Sequence, residues 1–110
     1  MAVHAAMSTF VETDNNRTVE IHVGETVEVN LSENATTGYR WSIDSYTKSV
    51  FDADDRVSRY ANKAVGSGGD VTFSFKAKAR GTGDIALKHW RDWEGESSVV
   101  GRFRLHVKIA

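Results

Sequence analysis

The chain has 110 residues, with 14 Lys and Arg against 15 Asp and Glu for a formal net charge of −1, and it holds neither cysteine nor proline. The missing cysteine excludes disulfides, thiolate zinc centres and a cysteine nucleophile. The balanced, well-mixed charge argues against a nucleic-acid-binding stripe, and no apolar run approaches the ~20 residues that span a membrane.

The size suits one domain covering residues 1–110. The opening Met1-Ala-Val-His-Ala-Ala-Met7 is too short and too weakly apolar for a signal peptide. Residues 1–7 are expected to be disordered or vector-derived, with Met7 a candidate natural start. Had a leader been cut away, the protein would be periplasmic or secreted; otherwise it would be cytoplasmic.

From there the chain alternates apolar and polar residues with a period of two. Val19, Ile21 and Val23 flank Glu20 and His22. After Gly24-Glu25 come Val27, Val29 and Leu31. Tyr39, Trp41 and Ile43 form a weaker run, and a segment from Val50 to Tyr60 another. Val71, Phe73, Phe75 and Ala77 are the clearest set, then Ile85 and Leu87 after Gly81-Thr-Gly83, and finally Phe103, Leu105, Val107 and Ile109. Such runs are half-buried strands. With no helical spacing anywhere, they predict a two-sheet sandwich, with a barrel as the alternative. Trp41 falls on the inward phase as a core tryptophan. Without proline, the turns fall to Gly, Asn, Asp and Ser.

Three joints are longer than turns need: Asn34-Ala-Thr-Thr-Gly38 with Tyr39, Gly66-Ser-Gly-Gly69, and Trp90-Arg-Asp-Trp-Glu-Gly95. Each alone reads as ordinary loop punctuation. The glycine run matches neither the dinucleotide fingerprint nor the P-loop, which needs a lysine.

Together the three resemble the chagasin-like inhibitors of cysteine peptidases. That family carries Asn-Pro-Thr-Thr-Gly-aromatic, Gly-x-Gly-Gly and Arg-Pro-Trp loops in this order. The same loops here are Asn34-Ala-Thr-Thr-Gly-Tyr39, Gly66-Ser-Gly-Gly69 and Arg91-Asp-Trp93. The spacing, the Val23-Gly-Glu25 turn and Arg102-Phe103 also match, so the likeness covers nearly the whole chain.

The resemblance implies an all-β, immunoglobulin-like antiparallel sandwich of about seven to eight strands, with the loops side by side at one end. It also implies a monomer without cofactor or metal that blocks papain-like peptidases such as papain and cathepsin L-like enzymes, and catalyses nothing. Thr36, Thr37 and Gly38 would sit beside the target's cysteine and histidine, with Asn34 and Tyr39 also among the target-binding residues. Gly66, Ser67, Gly68 and Gly69 would lie along its cleft. Trp93 would anchor the primed side, flanked by Arg91 and Asp92. Two positions depart from the pattern, Ala35 and Asp92, and both replace proline. Each loss is expected to loosen a loop at a cost of ~0.5–1 kcal/mol. Asp92 adds a charge beside Arg91, placed either to pair with it or to repel an acidic rim on a target.

The remaining polar residues carry less. His4, His22, His89 and His106 show no ligand spacing, and Asp52, Asp54 and Asp55 lack the glycine of a calcium loop. Ser97 and Ser98 have no evident activating base. Asn16-Arg-Thr18, Asn30-Leu-Ser32 and Asn34-Ala-Thr36 are glycan acceptor patterns; the last would burden the first loop. The rival function is a carbohydrate-binding module using Tyr39, Trp90 and Trp93 as a stacking platform. A third is an adhesion module with no pocket.

Overall fold

The structure is a computed structural model that describes residues 7–33, 35–54, 57–59 and 69–110. Nine strands are described: β1 (Met7–Phe10), β2 (Arg17–Ile21), β3 (Thr26–Glu33), β4 (Arg40–Tyr46), β5 (Phe51–Ala53), β6 (Ser58–Arg59), β7 (Gly69–Ala77), β8 (Gly81–Trp90) and β9 (Gly101–Ile109). They form two sheets. One has the order β1-β3-β7-β5 with β6 also on β7, and the other the order β2-β9-β8-β4. This is the immunoglobulin-like sandwich expected, with β5 and β6 as short pieces along one side of β7.

The alternation explains why the sheets stack. Val27, Val29 and Leu31 of β3 and Val71, Phe73, Phe75 and Ala77 of β7 are buried. From the other sheet, Val19, Ile21, Ile85, Leu87, Phe103, Leu105, Val107 and Ile109 complete the core with Trp41. Polar residues between them face water, so each strand contributes one apolar face. Gly83 extends β8 toward its start. A Cβ there would lie 2.6 Å from Val50 and 3.0 Å from Phe51, so only glycine lets these two pack against the strand.

Several boundaries differ from the periodic reading. Val23 lies beyond β2 and is exposed, because the chain turns there through Gly24 at φ +93°. Tyr39 precedes β4, and a register shift between Ile43 and Ser45 breaks the alternation of that strand. Trp90 ends β8 instead of opening a loop. Met7 is the first residue of β1, paired with Thr26. Two edge ladders, β1 with β3 and β2 with β9, are parallel. Their cause is the route of the chain, which reverses direction while crossing between sheets from β1 to β2 and back to β3.

Among the glycan acceptor patterns, Asn16 sits exposed in a left-handed turn at φ 66°. Asn30 is tied down in β3, its Nδ2 donating to Thr72 Oγ1 at 2.8 Å. His106 lies 2.6 Å from Asp84 across β8 and β9.

The turn between β1 and β2 is closed reciprocally. Asp14 N donates to the Val11 carbonyl at 2.8 Å, and Val11 N donates to the Asp14 carboxylate at 2.9 Å. That amide holds the Asp14 carboxyl below the usual range; burial opposes it, and Arg17 at 2.9 Å adds to the lowering. A depressed carboxyl stabilises the fold above its unfolded pKa, and that contribution is lost as pH falls through the folded value. Asp14→Asn keeps the shape of the turn. It should therefore flatten the loss of stability below about pH 4 in urea unfolding across an acid series.

Candidate functional site: a braced ridge of loops

The strand ladder brings the loops to one end. Glu33, the last residue of β3, pairs with Gly69, the first of β7. In the other sheet Arg40 at the start of β4 pairs with Trp90 at the end of β8, and Gly101 at the start of β9 pairs with His89. The end of β3, the starts of β7, β4 and β9 and the end of β8 thus lie at one end of the sandwich, where the 35–39 and 91–100 segments leave it. Asn34, Gly66, Ser67 and Gly68 lie outside the described residues. Gly69 belongs to β7 and not to a free loop.

The first loop makes a tight turn over Ala35–Thr37 and then passes through Gly38 at φ +79°. Thr36 and Thr37 are exposed. Its exit is held by the core. Glu33 is only 3% exposed, yet it carries a carboxylate. Its Oε2 accepts the Trp41 backbone N–H at 2.7 Å, reaching from β3 to the opposite sheet. Trp41 Nε1 returns a bond to the Ser32 carbonyl at 3.1 Å, and His89 stacks on the Trp41 indole at 4.8 Å and 7°. A buried carboxylate needs such partners.

The third loop folds into two tight turns, Asp92–Glu94 and Glu96–Ser98. Ser98 is 8% exposed and clamps them. Its Oγ accepts Arg91 N–H at 3.0 Å, and its single proton is shared between the carbonyls of Arg91 at 2.8 Å and Gly95 at 2.7 Å. Ser98 thus has a structural task. Ser98→Ala should cost about 1–2 kcal/mol in urea unfolding, because the Arg91 N–H loses its acceptor.

Arg91 joins the two loops. Its Nε and Nη2 both donate to the Thr37 carbonyl, at 3.2 and 2.9 Å. Its guanidinium lies 4.3 Å from the centre of the Tyr39 ring. The carboxylate beside it is Glu94, 3.6 Å from Nη1, where the sequence had suggested Asp92. Trp93 closes the same junction. Its ring lies over Gly38 so tightly that a Cβ on Gly38 would sit 2.7 Å from Trp93 Cη2. Trp93 is nevertheless 68% exposed. The result is one ridge with Thr36, Thr37 and Gly38 on one side and a proud indole on the other.

The ridge offers surface: hydroxyls, glycine backbone and a large ring. As a sugar platform it fits poorly. Lys88 Nζ lies 3.6 Å from the Trp90 ring centre, and Trp90 Nε1 is bonded to Ser42 at 3.1 Å. With Arg91 over Tyr39, two of the three rings already carry a cation on a face.

Glu33 was the residue most open to discovery by sequence. It continues the inward phase of Val27, Val29 and Leu31, where a carboxylate is out of place. Ser98 and His89 gave no comparable signal.

Comparison with known proteins gives the same picture. The family model described as "Chagasin family peptidase inhibitor I42" matches residues 20–107. Chagasin from Trypanosoma cruzi is 34% identical over 99 residues, covering 86% of this chain and 90% of chagasin. In fold, the chain is similar to the cysteine protease inhibitor EhICP2 from Entamoeba histolytica, with a TM-score of 0.83, 24% identity, and 99% of this chain and 100% of that one covered. It is also similar to PbICP-C, whose structure is of a complex with falcipain-2, with a TM-score of 0.65, 16% identity, and 100% and 95% covered. By the extent of the family match and its identity to chagasin, this chain belongs to the chagasin family of peptidase inhibitors and is not an enzyme.

Proposed function

We propose that the chain inhibits papain-like cysteine peptidases reversibly by seating its loop ridge in the active-site cleft as a monomer. The observation that carries this reading is the braced junction of Thr37, Gly38, Arg91 and Trp93. It makes one preformed convex edge of two loops, and a peptidase cleft is a groove. Ordering such loops in advance leaves more of the contact energy available as affinity.

In this reading Thr36, Thr37 and Gly38 approach the target's cysteine and histidine. Glycine permits close backbone approach, and the threonine hydroxyls offer hydrogen bonds. No peptide bond is presented in attack geometry, so the inhibitor is not consumed. Gly66, Ser67, Gly68 and Gly69 extend along the cleft through backbone contacts, with Asn34 and Tyr39 bordering the first loop. Trp93 anchors the opposite side, and Trp is a frequent interface hot spot. Family membership and the falcipain-2 complex of PbICP-C support the choice of target class.

The test is titration of papain and a cathepsin L-like enzyme. Saturable inhibition with recovery of activity on dilution, and with the inhibitor intact by mass spectrometry, is expected. Full peptidase activity at micromolar inhibitor would overturn the reading.

A further inference from the structure

The chain has no proline, so no ring fixes φ anywhere in its loops. The first loop nevertheless holds a turn followed by a left-handed glycine. We infer that Arg91 is a positioning residue, whose fork on the Thr37 carbonyl presets the first loop for binding. The two donors reach one oxygen at 3.2 and 2.9 Å, from a residue 54 positions away.

Three observations make Arg91 suited to this task. Its own backbone is fixed, because Ser98 Oγ accepts its N–H and lies 2.8 Å from its carbonyl oxygen. Its guanidinium is flanked by the Tyr39 ring at 4.3 Å and by Glu94 at 3.6 Å, which limits its rotamers. Its acceptor, the Thr37 carbonyl, immediately precedes Gly38, the residue with the left-handed φ. A planar fork restrains that carbonyl in a way a lysine ammonium does not. The side chain thus restrains the turn from outside, where a ring would restrain it from within.

The proposal deepens the inhibitor reading and rests on it for its consequence, but its structural half is measurable in the free protein. Two variants are needed, Arg91→Met and Arg91→Lys. Amide 15N relaxation of free wild type should show rigid Thr36, Thr37 and Gly38, with order parameters of about 0.8. Both variants should fall below about 0.6 at these amides while the strands stay unchanged. Both should lose about tenfold in inhibition of papain.

The decisive arm adds Ala35→Pro. Position 35 is the first residue of its turn, where proline fits. In the Arg91→Met background it should recover about two- to fivefold of inhibition and much of the lost order, and in wild type less than twofold. Unchanged order in Arg91→Met would overturn the proposal. Equal gains from Ala35→Pro in both backgrounds, or none in either, would also overturn it and make Arg91 a direct contact to the peptidase. If wild type fails to inhibit, the inhibitor reading falls, and the relaxation data still decide whether Arg91 orders the loop.

Discussion

Replacing Trp93 with alanine should weaken inhibition of papain by more than about thirty-fold, or ~2 kcal/mol, while stability changes little. The two effects separate because of where the ring stands. At 68% exposure it buries modest area in the free protein, so truncation should alter unfolding free energy by less than about 1 kcal/mol. In a complex the same indole would be desolvated in a pocket, and buried aromatic anchors at interface centres carry most binding energy. The ring is also preset. It rests on Gly38, beside an Arg91 fixed by Ser98, so little rotamer freedom is lost on binding. The check is the inhibition constant of Trp93→Ala against active-site-titrated papain, with urea unfolding alongside. An unchanged constant would remove Trp93 from the contact surface.

The strands of this protein were legible because each needs only a local pattern. β3, β7 and β9 carry uninterrupted alternation, and every expected inward residue of these strands is buried. β4 was harder, since the shift after Ile43 changes which residues share a face, and no residue type announces a bulge. The parallel edge ladders were invisible for another reason, as pairing across sheets depends on the route of the chain. The loops were legible as motifs, and the roles of their residues were not. Arg91 looked like a second contact beside Trp93, because a sequence gives no hint that its guanidinium reaches a carbonyl 54 residues earlier. Glu33 is the opposite case, a polar residue on a buried phase that could have been questioned at once. Strand patterns repeat every two residues, whereas the ridge is built from single contacts between distant segments.

Gly38→Ala should be the most damaging single change to inhibition, about a hundredfold. Two costs combine. At φ +79° an alanine carries a left-handed penalty of about 1 kcal/mol. Its Cβ would also meet Trp93 Cη2 at 2.7 Å, which no real contact tolerates. Because the turn is held through the Thr37 carbonyl, the ring should yield first. A displaced Trp93 forfeits its anchor, a further loss of about 2 kcal/mol. These costs share a partner, so they should not add in a cycle with Trp93→Ala. Removing the ring leaves room for the Cβ, and only the left-handed penalty remains. The double variant should therefore sit near a hundredfold, close to Gly38→Ala alone, and far from the roughly three-thousandfold product of independent effects. A full product would place the clash on the peptidase and not on Trp93. The tight seat of the indole on Gly38 would then be a feature of the free ridge with no part in binding.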